Sequence, residues 1–339
     1  MENKIQYQPS DFKSNQEVRW CPGCGDHGFL NALHKAMAEL GISRENHVVV
    51  SGIGCSSRTP YYVNTYAFHG IHGRAAAIST GVKIANPGLC VWTVTGDGDA
   101  LAIGGNHFIH MIRRNMNINL ILLNNQIYGL TKGQYSPTSR EGQVTKTSPY
   151  GTIEPPFIPG DLVLGAQGKF FARAMDTHIK LQTEIFVEAA QFTGASVIEI
   201  LQNCVIFNDG AYDLLTDKEH REDRQIFLKH GEKMIFGKEK NKGLILDGFK
   251  LKAVTIGEDG YTMDDILVHN AKTQNPFIHM MLIGMSYPEY PVAFGIIRAV
   301  ETSDNYASKL ERQMNDVKAK SKIHTMDELL NSGDTWTVE

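Results

Sequence analysis

Short apolar runs that end on glycine, aspartate or asparagine, separated by helical patterns, constrain this chain most. Three of them are residues 47–53 (HVVVSGI), 89–95 (LCVWTVT) and 118–123 (INLILL). Runs of this length bounded by turn residues are what a strand buried on both faces requires. Helical spacing fills the intervals. Phe29, Leu33, Ala36, Met37 and Leu40 recur on one face until Gly41 stops them, and 73–85, 105–114 and 177–193 follow before a further strand at 196–201. The alternation predicts an α/β fold with a central, mainly parallel sheet covered by helices on both faces. Ligands of such sheets bind beyond the carboxyl ends of the strands. Gly54 and Cys55, Gly96-Asp97-Gly98, and Asn124-Asn125 all fall at those ends.

The connection 133–168 is rich in Ser, Thr, Pro and Gly and has little periodicity. Connections of this length are usually functional or poorly ordered. Composition shifts after about Asn208, where 218–242 becomes highly charged. Residues 1–208 are therefore expected to form the ligand-binding domain. Residues 209–300 are expected to form a smaller C-terminal extension with a hairpin (GLILDGFKLKAV) and a strand (PVAFGIIRAVE), and 301–339 a polar, partly helical or disordered tail.

With 42% hydrophobic and 21% charged residues, the 339-residue chain has an ordinary globular composition. A net charge of −4 gives no reason to expect nucleic acid or an anionic membrane as partner. The longest apolar runs are far too short to cross a bilayer. The N-terminal stretch is polar, without a signal-like apolar segment, so a cytoplasmic location is expected. Five cysteines, Cys21, Cys24, Cys55, Cys90 and Cys204, argue against a disulfide framework in such a chain. The Cys21/Cys24 pair in WCPGCG suits zinc, an iron–sulfur cluster or a redox disulfide.

The strongest chemical signal is GDGD (96–99), followed one β-α-β unit later by NNQIYG (124–129). A hard divalent cation such as Mg2+ takes a carboxylate or two and completes its shell with phosphate oxygens. Asp97 offers a carboxylate, Asn125 an amide carbonyl, and Ile127 its main-chain carbonyl. Gly96 and Gly98 let the backbone approach a diphosphate, whose oxygens would meet N–H groups leading into the next helix.

This pair resembles the thiamine diphosphate motif. WCPGCGDHG, GIGCSSR, HGRA, GDGDALAIGGNH and LLNNQIYGLTKGQYSPTS, in that order over about residues 17–210, resemble the β subunit of 2-oxoacid:ferredoxin oxidoreductases, most of all those acting on 2-oxoglutarate. The resemblance implies thiamine diphosphate, Mg2+ and one [4Fe–4S] cluster, the last on Cys21, Cys24, Cys55 and Cys204. Four thiolates suit a cubane cluster and equally a structural zinc site; the thiamine motif favours the cluster. Cys90, inside an apolar strand, reads as a small buried hydrophobe. Gly54, Ser56, His72, Gly96, Gly98, Asp99 and Thr131 are the implied cofactor contacts. Thr131 has the alternative of capping its own turn. Arg58, Leu130 and Lys132 are the candidate substrate residues. Two cations suit a substrate with a second carboxylate, hence 2-oxoglutarate over pyruvate or a branched-chain 2-oxoacid.

The chemistry joins these groups. Thiamine diphosphate accepts the electron pair released as CO2 leaves a 2-oxoacid, a nearby cluster relays electrons singly to ferredoxin, and coenzyme A takes the acyl group. In that family the glutamate that polarises the cofactor belongs to the α subunit, and nothing in this chain replaces it. No catalytic side chain is therefore assigned here, and an α subunit is expected in a heterotetramer or larger assembly. The rival classes are a non-catalytic, zinc-stabilised assembly subunit and a cluster-free thiamine diphosphate lyase or synthase. His69, less secure than His72, and His107 and His110 behind the GDG turn are set aside, the latter two as partly buried structural residues. The run 218–224 reads as a solvated helix face.

Overall fold

The computed structural model describes residues 5–338; residues 1–4 and 339, at the ends of the first and last expected segments, lie outside them. Strands β1 (His47–Ser51), β2 (Tyr66–His69), β3 (Cys90–Gly96), β4 (Asn119–Asn124), β5 (Phe170–Met175), β6 (Ser196–Leu201) and β7 (Gln225–Leu228) come first along the chain. Then follow β8 (Ile235–Phe236), β9 (Lys242–Asp247), β10 (Lys250–Thr255) and β11 (Val292–Ala299). Eight of them form one sheet in the order β2-β1-β3-β4-β6-β5-β11-β7. Its pairs are parallel except β5 with β11, so the sheet is mainly parallel as expected.

Helices α1 (Asp26–Leu40), α2 (Ala75–Ala85), α3 (Gly105–Arg113), α4 (Pro159–Gly165) and α5 (Ile179–Gln191) cover the two faces. The pleat decides which residues go where, since alternate side chains point to opposite faces. Val49, Trp92, Val94, Ile121, Leu123, Ile198 and Ile200 pack against Phe29, Leu33 and Met37 of α1 and Phe186 of α5. Val48, Val50, Val91, Leu120, Leu122 and Val197 face Ala76 of α2, Phe108 and Met111 of α3, and Val163 of α4. Helix α1 stops where expected, at Gly41 with φ +66°. No helix among the described residues is long and apolar enough to cross a membrane.

The composition shift near Asn208 is not a break in the sheet. Strands β7 and β11 lie beyond it and extend the same sheet, and Ile226, Leu244, Leu251 and Ile297 share the core that holds Leu120 and Phe171. The remaining β8, β9 and β10 form a small antiparallel sheet, with β9 and β10 as the anticipated hairpin. The final segment carries helices Tyr306–Lys320 and Met326–Leu330, exposed over most of their surface.

One ion pair crosses the sheet interior. Arg173 on β5 donates from Nε to Oε2 of Glu199 on β6 at 2.7 Å, with both side chains nearly sealed from solvent. Glu199 Oε1 accepts from Asn124 Nδ2 at 2.8 Å, so the pair also holds the end of β4. Removing one partner of such a pair strands the other charge. We expect Glu199→Ala to destabilise the protein by about 3–5 kcal/mol in urea unfolding, and the joint replacement Arg173→Met with Glu199→Leu to recover much of the loss.

Candidate active site

Four neighbouring strands, β1, β3, β4 and β6, deliver their carboxyl ends to one rim of the sheet. A cavity of about 370 Å³ opens there, within the range of small-ligand pockets. Gly54 and Ser56 reach it from β1, Gly96, Asp97, Gly98 and Asp99 from β3, and His72 from the loop before α2. The segment after β4 contributes Asn125, Ile127, Leu130 and Thr131. Gly54 sits at φ +112°, a conformation open to glycine and strained for other residues. At Gly98 a Cβ would fall 2.1 Å from the Tyr128 ring, whose hydroxyl donates to the Gly98 carbonyl at 3.1 Å.

Asp97 is 2% exposed. Its Oδ2 accepts from the hydroxyls of Ser136 and Thr138, each at 2.5 Å. Burial raises its pKa against these donors and the Gly98 N–H. A carboxylate removed from water in this way gains most from a cation. The Thr138 hydroxyl also lies 2.9 Å from Asn124 Oδ1, so the start of the long 133–168 connection is fastened to Asp97 and to the end of β4. Asn125 Oδ1 accepts from the Ile127 N–H at 3.2 Å, and the Ile127 carbonyl from the Gly129 N–H at 3.1 Å. Asp97 after β3, and Asn125 and Ile127 on a tightly turned segment after β4, all line the one cavity.

Two cofactor-contact candidates do other work. Asp99 lines the cavity, yet its Oδ1 accepts from the Gly73 N–H at 2.7 Å and its Oδ2 from Thr95 Oγ1 at 2.9 Å. It braces the HGRA loop against β3. The Thr131 hydroxyl donates to Gln134 Oε1 at 2.5 Å, closing its own turn. Ser56 Oγ, by contrast, is buried without a partner at the cavity wall, a hydroxyl available to a ligand.

A second cavity, of about 190 Å³, adjoins the first and is lined in part by Cys21, Cys24, Cys55 and Cys204. Cys55, Asn125, Gly129, Leu130 and Gln202 line both. The CxxC turn closes through the Cys24 N–H on the Cys21 carbonyl at 3.0 Å, with Gly23 at φ +80°. Trp20 Nε1 donates to the Cys55 carbonyl at 2.7 Å and fixes the second loop beside the first. Burial pushes the Cys24 thiol well up and the Cys55 thiol up to about 12, with neighbouring thiols adding to both.

The thiols surround a space rather than a point. Among the described residues, no three His, Cys, Asp or Glu side chains converge closely enough to hold one metal ion. A zinc site draws its sulfurs to about 2.3 Å from a single centre, whereas a cubane spreads four thiolates around its corners. Four thiols around one cavity are a donor set that a cubane cluster can use. Cys90 lines neither cavity and is held up by burial, as a core residue would be. Arg58 lines the cysteine cavity, whereas Lys132 is exposed, lines neither cavity and adopts φ +77°.

Several site residues were not singled out in the sequence. Ser136 and Thr138 stand inside the SPTS run, and Gln202 lies two residues before Cys204. Asp26 opens α1 directly after the CxxC loop, fully buried with neither oxygen partnered. Its pKa rises to about 7 through burial. No pattern in the sequence distinguishes it from an ordinary first-turn aspartate.

Residues 52–200 match the thiamine pyrophosphate enzyme, C-terminal TPP binding domain family. The chain is 48% identical over 333 residues to the 2-oxoglutarate oxidoreductase subunit KorB of Mycobacterium tuberculosis, covering 97% of this chain and 88% of that protein. It is 44% identical over 212 residues to the β subunit of 2-oxoacid:ferredoxin oxidoreductase 2 of Aeropyrum pernix, covering 62% of this chain and 67% of that one. A solved chain of the 2-oxoglutarate:ferredoxin oxidoreductase from Magnetococcus marinus, with 2-oxoglutarate, coenzyme A and succinyl-CoA bound, superimposes with a TM-score of 0.77. That match has 31% identity and covers 99% of this chain and 98% of that one. From the strand-end cavities and this near full-length identity, the chain belongs to the β-subunit family of the 2-oxoacid:ferredoxin oxidoreductases.

Proposed function

We propose that this chain holds thiamine diphosphate, Mg2+ and a [4Fe–4S] cluster in an enzyme that converts 2-oxoglutarate and coenzyme A to succinyl-CoA and CO2 while reducing ferredoxin, and runs in either direction. The single observation that supports the proposal is the wall shared by the two cavities, one lined by the GDG and NN segments and the other by the four thiols. Asp97, Asn125 and the Ile127 carbonyl would hold Mg2+, and Ser56 would meet the cofactor. Cys21, Cys24, Cys55 and Cys204 would hold the cluster. Thiamine diphosphate, when bound, supplies the electron sink for loss of CO2. The α subunit would supply the rest of the cofactor site, and ferredoxin would take up the electrons.

Iron and acid-labile sulfide analysis of the anaerobically purified αβ complex tests the cofactor assignment. Roughly four of each per chain is the expected result; zinc without sulfide would reject it. A panel of 2-oxoacids with viologen as acceptor tests the substrate. We expect 2-oxoglutarate to give the highest kcat/KM. Arg58→Gln should raise KM for 2-oxoglutarate about tenfold more than for pyruvate, the loss of a charge-assisted contact to the second carboxylate. Lys132, outside both cavities, would take that role only where the α subunit closes over its loop, and equal effects on both substrates would remove either residue from it.

A further inference from the structure

Gln202 follows β6 directly and is 1% exposed. Its main-chain N–H donates to the Asn124 carbonyl at 2.9 Å, which fixes it between the NN turn and the cysteine loops. It lines both cavities. Its Nε2 lies 2.7 Å from the Asn203 carbonyl and 3.3 Å from Cys24 Sγ. The carbonyl accepts only, so this atom is the nitrogen, and its two hydrogens serve the carbonyl and the sulfur. Oε1 is buried with no partner. An unsatisfied buried polar atom costs about 1–3 kcal/mol, and an apolar side chain of the same length would avoid that.

We infer that Gln202 is a positioning residue for electron transfer, setting the reduction potential of the cluster through its hydrogen bond to the Cys24 sulfur. The inference rests on the proposed [4Fe–4S] assignment. The couple is one electron into or out of the cluster, and no proton moves and no bond to Gln202 forms or breaks. Reduction adds negative charge that spreads onto the thiolate sulfurs, and an N–H aimed at a sulfur stabilises that more negative state. Gln202 therefore raises the potential and eases electron entry from the cofactor cavity.

The test is an EPR-monitored redox titration of the anaerobically purified αβ complex, using dithionite as reductant. In Gln202→Met, which keeps the length and removes the donor, the one-electron reduction constant should fall roughly three- to tenfold, a midpoint lower by about 30–59 mV. Gln202→Glu, which keeps the shape and replaces the donor with a carboxylate, should lower it further. It also answers the question if the methionine variant does not assemble. Val205→Ala, in the same cavity without a hydrogen bond to sulfur, should leave the midpoint in place. An unchanged midpoint in a variant with full iron and sulfide overturns the inference and leaves the cluster assignment standing. An equal fall in Val205→Ala overturns it too, since a general repacking of the cavity and not the lost donor would then be the cause. Absence of iron and sulfide in the unmodified complex overturns both.

Discussion

Cys55→Ala in the assembled enzyme is expected to lose bound iron and acid-labile sulfide and to reduce viologen only at background rate, while thiamine diphosphate still binds. Cys55 is the thiol that lines both cavities, so its replacement asks whether the two sites can be lost separately. Its thiol is held in the neutral form by burial, up to about 12, and becomes a ligand only when a metal takes the proton's place. The neighbouring β1 end stays in position without it, since Ser51 Oγ donates to the Ser57 carbonyl at 2.8 Å and Thr59 Oγ1 to the Ser56 carbonyl at 2.7 Å. Metal analysis and calorimetric titration with thiamine diphosphate and Mg2+ separate the two effects. Full iron content in the variant would remove Cys55 from the ligand set.

Asp97→Asn is expected to do the reverse. Iron and sulfide should stay at the unmodified level, while Mg2+-dependent affinity for thiamine diphosphate should fall by more than about 100-fold. Loss of an outer partner of a metal ligand already weakens binding 10–100-fold, and Asp97 is proposed as a direct ligand. The amide fits the same space, so the Ser136 and Thr138 hydroxyls keep an acceptor and the 133–168 connection stays fastened. The loss would then come from the missing charge and not from a displaced loop. Thiamine diphosphate binding that no longer responds to Mg2+ is the expected calorimetric signature. Unaltered Mg2+ dependence would show that the cation sits elsewhere.

The parts of the fold that announce themselves in the sequence are those whose burial makes them uniform. Strands β1, β3, β4 and β6 are buried on both faces and are followed by small or polar residues, so their limits fall within a residue or two of expectation. Strand β5 (FFARAM) is not marked: unlike β6, which keeps Val197, Ile198 and Ile200 around Glu199, it has no β-branched residue around the charge of Arg173. That charge is tolerated only because Glu199 waits on the next strand, a partnership no local pattern contains. Edge strand β2 is exposed along most of its length and carries no burial signal. Helix α4 lies within the Ser/Thr/Pro-rich connection and is only one or two turns long, too short for periodicity to register. The same logic divides the site. Glycine, cysteine and GDG/NN signatures mark ligand positions by residue type. Supporting groups such as Ser136, Thr138 and Gln202 are ordinary polar residues, and only their burial beside Asp97 or Cys24 distinguishes them.

Gly129 lies in the shared wall, where a Cβ would come 3.4 Å from Cys204 Sγ and 3.9 Å from Cys55 Sγ. Electron tunnelling weakens steeply with distance, so with the proposed cluster and cofactor bound the residue at this position would set how closely the occupants of the two chambers approach. Glycine leaves the thinnest partition a polypeptide can build. A larger residue there would lengthen the jump and crowd the sulfurs together. With the proposed groups bound, the position would link two demands that could otherwise vary independently: how closely those groups approach, and how much room the Cys204 and Cys55 sulfurs keep.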